Sequence, residues 1–288
     1  MTKQNTTQRP TAIILINQLV ESELQTIFGQ TETSSLLIAG QSLLTHTLIE
    51  LRDLDFQQVI ILTKHNSQRI QRLLGNTKRW PMSINVMQYH LDKNQLLSDY
   101  KSLSEPNGLL IIEMNRFRAH CIKGFLDKSA ESEYLLVDAF SENINIGITL
   151  LKATESSFII NAMPIELNTI KTSKLSTLHD YHQANFDVIA GKYIGLEPSV
   201  NKNKKNGYRQ HWSSLIHKES FINSHTSMVD RDCHVGKQTD LNSTILNHNV
   251  FIEKNASLEN TIVMPNTIIA KNHNLKNAII NNGTVYTV

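Results

Sequence analysis

Residues 229–280 decide the fold of the second half of the chain, and they read VDRDCHVGKQTDLNSTILNHNVFIEKNASLENTIVMPNTIIAKNHNLKNAII. Aliphatic residues recur in this segment every 17 positions, in three separate phases. The phases are Val229, Leu246, Val263 and Ile280; Val235, Ile252 and Ile269; and Leu241, Leu258 and Leu275. Because self-similarity at a fixed period marks a repeating structural unit, the segment predicts stacked coils and not an ordinary sheet sandwich.

Each period of 17 residues is divided into steps of six, six and five residues, as Val229, Val235, Leu241 and Leu246 show. This is a hexapeptide repeat with one shortened side. It predicts three short strands per coil around a triangular prism, with one aliphatic side chain pointing inward from each side.

Asparagine residues lie between the aliphatic positions, where the predicted coil turns its corners. Asparagine tolerates the left-handed backbone conformation that such corners require. We assign five of them to corners, namely Asn247, Asn249, Asn255, Asn266 and Asn272. The pattern therefore predicts a parallel β-helix of about three to four turns that begins irregularly between residues 216 and 229.

A polar segment precedes the repeat. It reads EPSVNKNKKNGYR from residue 197 to residue 209 and is rich in Asn and Lys. Such a composition is typical of a solvated linker, although a basic run can also contact phosphate. We predict one domain over residues 1–195, a linker over 196–215 and the β-helix over 216–288.

The first half of the chain alternates short apolar runs with helical patterns. The apolar runs are continuous, as in strands covered on both faces, and they are Ala12–Ile16, Val59–Leu62, Ile84–Val86 and Leu109–Ile112. One helix is expected after Ser42 as N-cap, another ends at Gly75 as C-cap, and a third spans Thr177–Ala190 after Ser176. Strand and helix in alternation predict a Rossmann-like α/β domain with a parallel sheet.

Composition excludes several classes of partner. The net charge of +2 gives no argument for nucleic acid or for an anionic membrane surface. The N-terminal MTKQNTTQRP lacks the apolar region of a signal peptide, and no apolar run is long enough to span a bilayer. The two cysteines, Cys121 and Cys233, form no disulfide framework and fit a reducing compartment. We expect a cytoplasmic protein whose cysteines are small buried residues.

Three segments resemble the sugar-1-phosphate nucleotidyltransferases, the pyrophosphorylases that make sugar nucleotides. They are SSLLIAGQSLLTHTLIELRDLDFQQVIIL at 34–62, STLHDYHQAN at 176–185 and the repeat from 229 to its end in NAIINNGTVYTV. The resemblance implies a Rossmann-like nucleotidyltransferase domain followed by a hexapeptide-repeat left-handed parallel β-helix. It also implies Mg²⁺ as the cofactor if the protein is active.

The phosphate loop is where the chain departs from this family. In the family, a glycine-rich loop with an arginine and then a lysine follows the first strand. Glycines let the backbone approach the triphosphate, and the two cations neutralise charge as pyrophosphate leaves. The resemblance places the three glycine positions, the arginine and the lysine on Asn17, Gln18, Val20, Ser22 and Thr33.

Only one glycine, Gly29, remains in the segment from residue 17 to residue 35, which we expect to be a loop. Val20 is the most damaging replacement, because a β-branched side chain resists positive φ and fills the space of a phosphate. Gly40, in the IAG turn, is retained as a remnant of the nucleotide site.

The resemblance also places the family's two magnesium carboxylates. In LLIIEMNRF, residues 109–117, the first falls on Asn115, and the second falls on Lys174. An amide can bind magnesium but supplies no charge, and a lysine repels the ion. Glu113 points to the same face two residues before Asn115 and is a possible substitute ligand.

These replacements predict a catalytically degenerate nucleotidyltransferase-like protein that regulates or scaffolds, since each lost preorganised charge reduces a rate by about 10²–10³. Its expected partners are an active paralogue or further copies of itself, bound through the β-helix, and its expected ligand is a nucleotide sugar. The alternative is an active sugar-1-phosphate nucleotidyltransferase that makes a precursor of a surface polysaccharide. In that case Lys64, Arg116 or Arg118 would supply the missing cations.

Two other kinds of site involve histidines. A hexapeptide acyltransferase would use a histidine as general base, with His225, His234, His248 and His273 as candidates. A zinc site would draw on His217, His225, Asp232, Cys233 and His234, whose spacing matches no compact motif. The pair His179 and His182 has no evident third ligand, so we expect an exposed helix face there.

Overall fold

A computed structural model describes residues 9–65, 67–89, 93–99, 107–152, 162–201, 207–223 and 226–288. The chain forms two compact units. The first comprises Met1–Leu19, Glu32–Ser35 and Leu43–Lys174, and the second comprises Val20–Thr31, Leu36–Ser42 and Leu175–Val288. This division differs from the predicted boundary at residue 195. The closing helix belongs with the coil, because the His182 ring nitrogen Nε2 lies 2.9 Å from the carbonyl oxygen of Asn260.

Strands β1 to β11 run, in chain order, over Thr11–Ile16, Leu37–Ile38, Gln41–Ser42, Gln58–Thr63, Ser83–Gln88, Leu109–Glu113, Phe117–Arg118, Leu136–Ser141, Ile144–Leu151, Met163–Glu166 and Thr172–Ser173. Strands β12 to β22 run over Arg209–Gln210, Leu215–Ile216, Phe221–Asn223, Met228–Val229, His234–Val235, Asp240–Leu246, Phe251–Ile252, Ser257–Val263, Ile268–Ile269, Asn274–Asn281 and Thr284–Thr287. Helices α1 to α6 run over Ser22–Phe28, Leu43–Asp53, Ser67–Leu74, Lys93–Asp99, Ile122–Glu131 and Leu178–Ile189, and short 3₁₀ turns cover Thr33–Ser35 and Thr77–Arg79. Among the helices that the structure describes, none has the length and apolar content needed to cross a membrane.

The first unit contains a seven-stranded sheet in the order β10-β8-β9-β6-β1-β4-β5. The four predicted apolar runs form β1, β4, β5 and β6, which pair in parallel as expected. The sheet as a whole is mixed, however, because β9 is antiparallel to both β6 and β8. The reason is a tight turn between β8 and β9, where Glu142 and Asn143 have φ of 53° and 62°. Two successive residues with positive φ are typical of a two-residue hairpin turn.

One face of this sheet is covered by α4. Leu96 of α4 is buried in one hydrophobic cluster with residues from β1, β4, β6, β8 and β9, namely Ile13, Leu15, Leu62, Leu109, Ile111, Leu136 and Leu151. These residues alternate along their strands, as side chains on one face of a sheet must. The packing therefore holds the start of α4 over the middle of the sheet.

The segment after β1 is not the continuous loop predicted for residues 17–35. It contains helix α1, in which Leu24 and Ile27 are buried. The Gln25 side chain donates to the carbonyl oxygen of Val20 at 2.8 Å, and Gly29 ends the helix with φ of 64°. Seven residues are too few to show a helical period clearly, which is why the sequence pattern missed this helix.

Helix ends follow the predictions in part. Gly75 ends α3 as expected, with its amide 3.1 Å from the Gln71 carbonyl oxygen. Ser42 belongs to strand β3 instead of capping α2. The cap of α6 is Thr177 and not Ser176, because the Thr177 hydroxyl accepts from the Asp180 amide at 3.0 Å and the Asp180 carboxylate accepts from the Thr177 amide.

The predicted 17-residue period is confirmed in the second unit. Parallel pairing aligns Leu241 with Leu258 and then with Leu275, and it aligns Val235 with Ile252 in the same way. Nine of the ten aliphatic positions are buried in a single cluster, and Leu275 is partly buried against it. These registers are those of a parallel coil in which each turn stacks on the next.

Three positions per coil have positive φ, which fits a coil with three corners. Four of the five predicted corner residues, Asn249, Asn255, Asn266 and Asn272, have φ between 57° and 62°. The prediction for Asn247 is wrong. This residue has no positive φ and is 1% exposed, and its side-chain amide donates to the Val263 carbonyl oxygen at 2.9 Å.

The coil begins earlier than predicted and ends differently. Strand β12 pairs in parallel with β15, and β13 pairs in parallel with β16, so residues 209–215 of the predicted linker already belong to the coil. Residues 202–206 of that linker lie outside the described residues. At the other end, β22 pairs antiparallel to β21, so the last strand folds back instead of starting another turn.

Candidate functional site

The predicted phosphate-loop positions fall in both units. In the first unit, Asn17 and Gln18 are exposed directly after β1. The Gln18 carbonyl oxygen accepts from the Thr33 amide at 3.1 Å, and Leu19 pairs with Glu32 in an antiparallel bridge. Thr33, at the position of the family's lysine, is buried. Thr33 carries no charge, and its short buried side chain does not extend to a bound phosphate.

In the second unit, Val20 and Ser22 stand just before and at the start of α1. The Val20 side chain is 2% exposed, and its amide donates to the Thr31 carbonyl oxygen at 2.8 Å. In a phosphate cradle such an amide would face the ligand. Here it is already bonded within the protein.

Gly40 has a packing role in the second unit that is independent of any nucleotide. Its φ is 82°, and a Cβ atom on it would lie 2.0 Å from the Ser199 hydroxyl oxygen and 2.9 Å from an Asp230 carboxylate oxygen. The Ser199 amide donates to the Ala39 carbonyl oxygen at 2.9 Å. Its assignment as a nucleotide-binding remnant stays a prediction.

The carboxyl end of β6 carries the predicted metal positions of the first unit. Glu113 is the last residue of β6, and Asn115 follows two residues later. The Asn115 side-chain oxygen is buried and accepts no hydrogen bond from the described residues. It lies against Gly147 of β9, where a Cβ atom would be only 2.7 Å away. Lys174 is exposed at the end of the first unit.

Sequence patterns missed the polar network next to Glu113. The Lys93 ammonium nitrogen lies 3.8 Å from a Glu113 carboxylate oxygen, 3.3 Å from an Asp138 carboxylate oxygen and 3.0 Å from the Thr149 hydroxyl oxygen. We call these four residues the Lys93 cluster. The signal in the sequence is the pair of polar residues within each of the otherwise apolar strands LVDAFS and INIGITLL.

The residues at the predicted metal position do not fit Mg²⁺. This ion requires near-octahedral oxygen ligands, usually with one or two carboxylates. The Glu113 carboxylate faces an ammonium group, Asn115 contributes an amide directed at Gly147, and Lys174 carries a positive charge. In the described part of the chain, no group of three His, Cys, Asp or Glu residues is arranged to hold a metal ion.

The three alternative cations occupy different environments of the first unit. Lys64 is exposed just after β4, and its amide donates to the Ile16 carbonyl oxygen at 3.0 Å. Arg116 is half-buried. Arg118 is 6% exposed, and neither its Nε nor its Nη2 has a hydrogen-bond partner in the described residues.

Arg118 and Arg116 line a cavity of about 10 Å³ together with Glu50 and His120. This volume holds about one water molecule. A Glu50 carboxylate oxygen accepts from the backbone amides of Cys121 and Ile122 at 2.6 and 2.7 Å. The buried site of Arg118 therefore suits an internal role better than contact with a ligand at the sheet edge.

The cysteines behave as buried small residues. Burial raises the pKa of the Cys121 thiol to about 12, and burial likewise raises the pKa of the Cys233 thiol to about 12. A thiol with such a pKa is protonated at neutral pH and is a poor nucleophile. The zinc set that includes Cys233 stays a prediction.

The coil histidines that the structure describes have different neighbours. His234 stacks on Phe251 with ring centroids 4.6 Å apart, and the His273 ring nitrogen Nδ1 lies 3.1 Å from the Ala270 carbonyl oxygen. Burial lowers the pKa of His248. His225 lies outside the described residues. A general base for acyl transfer among these residues stays a prediction.

The pair on α6 differs from the exposed face that we expected. His179 is exposed but His182 is buried, and both line a cavity of about 300 Å³. Its other lining residues are Gln183, Phe186, Thr226, Ser243, Asn260 and Val288. The bond to the Asn260 carbonyl oxygen requires His182 Nε2 to carry a proton, and burial lowers the pKa of this ring.

The first unit is a mixed α/β domain, and the second contains a parallel coil with a hexapeptide period. Residues 214–287 match the family model described as a GlmU-like, C-terminal hexapeptide. The match supports the hexapeptide repeat and a relationship to nucleotidyltransferase-like proteins. A search of curated proteins found no match.

Proposed function

We propose that this protein is a catalytically degenerate nucleotidyltransferase-like subunit of sugar-nucleotide metabolism that regulates or scaffolds. The observation that carries the proposal is Val20, whose side chain is buried and whose amide is bonded to Thr31 where the resemblance expects a phosphate-binding glycine. A cradle needs free amides and open space. This segment offers neither at that position.

Charge supports the same proposal. The resemblance expects an arginine at Ser22 and a lysine at Thr33, and both positions are neutral. It expects carboxylates at Asn115 and Lys174, and neither position has one. Electrostatic stabilisation by such groups usually contributes more to catalysis of this kind than any other effect. Losing several of them together leaves little to stabilise the departing pyrophosphate.

The coil supplies the expected surface for assembly. We propose that it is left-handed, as the resemblance implies, and that it contacts either an active nucleotidyltransferase paralogue or further copies of this chain. Stacked coils present flat, repeated faces suited to such contacts. We further propose a nucleotide sugar as ligand and the cytoplasm as location.

A thermal-shift panel tests the ligand. Purified protein is heated with nucleoside triphosphates, nucleotide sugars and sugar phosphates, each with and without Mg²⁺. We expect a nucleotide sugar to raise the Tm without any dependence on Mg²⁺, because a ligand that binds the folded state stabilises it by mass action. A shift seen only with a triphosphate and Mg²⁺ would contradict the proposal.

A matched pair of variants locates the binding. Gln18→Glu adds a negative charge at an exposed position directly after β1, so an anionic ligand bound beside this strand end is repelled and the shift should fall. Gln68→Glu makes the same change at an exposed position of α3 and is expected to leave the shift unchanged. Equal responses of the two variants would place the ligand elsewhere.

The active-enzyme alternative has one observation in its favour, which is the position of Glu113 at the carboxyl end of β6. In parallel α/β sheets, ligands bind outside these strand ends. If Glu113 has taken over metal binding, Glu113→Ala abolishes turnover. Turnover that persists unchanged in this variant would exclude that version of the enzyme.

A further inference from the structure

The Lys93 cluster is held by packing and is not a loose surface contact. Lys93 is the first residue of α4, and Leu96, one turn later, is buried in the same hydrophobic cluster as Leu109 and Leu136. The hydrophobic cluster around Leu96 fixes the first turn of α4 over strands β6, β8 and β9. The side chains of Lys93, Glu113 and Asp138 are accordingly only 20%, 22% and 14% exposed.

Three described side chains, those of Lys93, Thr149 and Asn145, hold the Asp138 carboxylate. The Thr149 hydroxyl donates to one Asp138 oxygen and accepts from the Lys93 ammonium group at 3.0 Å. The Asn145 side-chain amide donates to the other Asp138 oxygen at 3.4 Å, and its own oxygen accepts from the Gly147 amide at 2.8 Å. The network therefore holds the carboxylate in one orientation toward the ammonium group.

The cluster has the charge pattern of a cation site. Two neighbouring carboxylates that are partly buried repel each other, and a positively charged group between them offsets that repulsion. A divalent metal ion can be that partner, and so can an ammonium group of the protein itself. Here both carboxylates reach the same ammonium nitrogen, at 3.3 and 3.8 Å.

We infer that Lys93 is a built-in cation that takes the place of a divalent metal ion between Glu113 and Asp138. The inference rests on the proposed function, since a subunit that binds a nucleotide sugar without turnover needs charge balance here but no metal to activate a reaction. An ammonium group on the protein's own helix does not dissociate with dilution. Ligand binding near Glu113 is therefore independent of divalent metal.

The test uses Mn²⁺ as the probe, measured by electron paramagnetic resonance and by thermal shift. Wild type is expected to bind no Mn²⁺ at this site. Lys93→Ala is expected to bind one Mn²⁺, with half-saturation at least about tenfold below the highest Mn²⁺ concentration at which wild type shows no binding, because a competing positive charge has been removed. Its Tm should be lower than that of wild type without metal and should recover as Mn²⁺ is added.

Three variants serve as controls. Lys93→Arg keeps the charge and should not gain Mn²⁺ binding. Lys93→Ala combined with Asp138→Asn removes one carboxylate and should lose the gain. Lys123→Ala removes an exposed lysine of α5 and should behave like wild type.

Two results would overturn the inference. One is a single Mn²⁺ bound by wild type and lost in Glu113→Gln, a measurement that needs no variant of Lys93 to fold. The other is a folded Lys93→Ala protein that binds Mn²⁺ no better than wild type. Neither result depends on pyrophosphate release or on the nucleotide-sugar shift, so failure of the inference is distinguishable from failure of the proposed function.

Discussion

The coil and the Lys93 cluster of the first unit differ in how their residues are brought together. In the coil, each inward position is repeated after 17 residues, and Leu241, Leu258 and Leu275 stack directly. On the sheet face covered by α4, the Lys93 cluster joins one helix and three strands that are far apart in the chain. Repeated local structure can be found by counting along a sequence. A site assembled once from distant elements cannot be found in that way.

The largest effect is expected from a substitution in the hydrophobic core of the coil. Leu258 is fully buried between its counterparts in the neighbouring coils. Leu258→Ala should lower the free energy of unfolding by about 2–5 kcal/mol, because removing a buried side chain leaves a cavity. Urea unfolding followed by circular dichroism measures the change.

The matched control for that variant is Leu215→Ala, on the outer face of the coil with 66% of the residue exposed. We expect a change within about 0.5 kcal/mol. Similar losses for the two variants would mean that the inward phase of the repeat has been assigned to the wrong residues.

The second largest effect tests whether the packing around Gly40 requires a residue without a side chain. Gly40→Ala forces a Cβ atom to within 2.0 Å of the Ser199 hydroxyl oxygen, whereas Gly191→Ala, at a similar φ of 75°, has no neighbouring atom within 4 Å. Both variants carry the strain of positive φ, so their difference reports crowding alone. We expect Gly40→Ala to be less stable than Gly191→Ala by about 1–3 kcal/mol in chemical denaturation. Equal stabilities would show that the IAG turn is free to accept a side chain.

The smallest effect is a pH dependence from His182. Burial, with His179 nearby as a further cause, lowers the pKa of His182 below its ordinary value of 6.5. The unfolded chain therefore binds a proton at this histidine more readily than the folded protein does. The free energy of unfolding consequently keeps its full value above pH 6.5 and decreases as the pH falls below 6.5. Between pH 7.5 and pH 5.5 the Tm of wild type should fall more than that of His182→Gln. Parallel pH profiles for the two proteins would exclude the effect.

The sequence predicted the parts of the fold that depend on repetition or on long apolar runs. It located the coil phases, and it located strands β1, β4, β5 and β6 because each is a continuous apolar run. It missed the antiparallel β9, since the turn at Glu142 and Asn143 lacks the glycine that usually marks a tight hairpin. The start of the coil was placed too late because its first strands are only two residues long.

For the candidate site, the sequence predicted only which family residues are replaced. A family pattern shows where Asn115 or Val20 stands in place of another residue, because those positions are read along the chain. It does not show that Lys93 lies beside Asp138, since that contact depends on how α4 packs on the sheet. Buried polar residues within apolar strands, such as Thr149, are the sequence signal that points toward such contacts.

The most direct test of the central claim is pyrophosphate release by the wild-type protein. The protein is supplied with a nucleoside triphosphate, a sugar 1-phosphate and Mg²⁺, with a range of bases and sugars. The account predicts no release above the protein-free rate for any combination. Release that scales with protein concentration and disappears in Glu113→Ala would contradict it and establish an active nucleotidyltransferase.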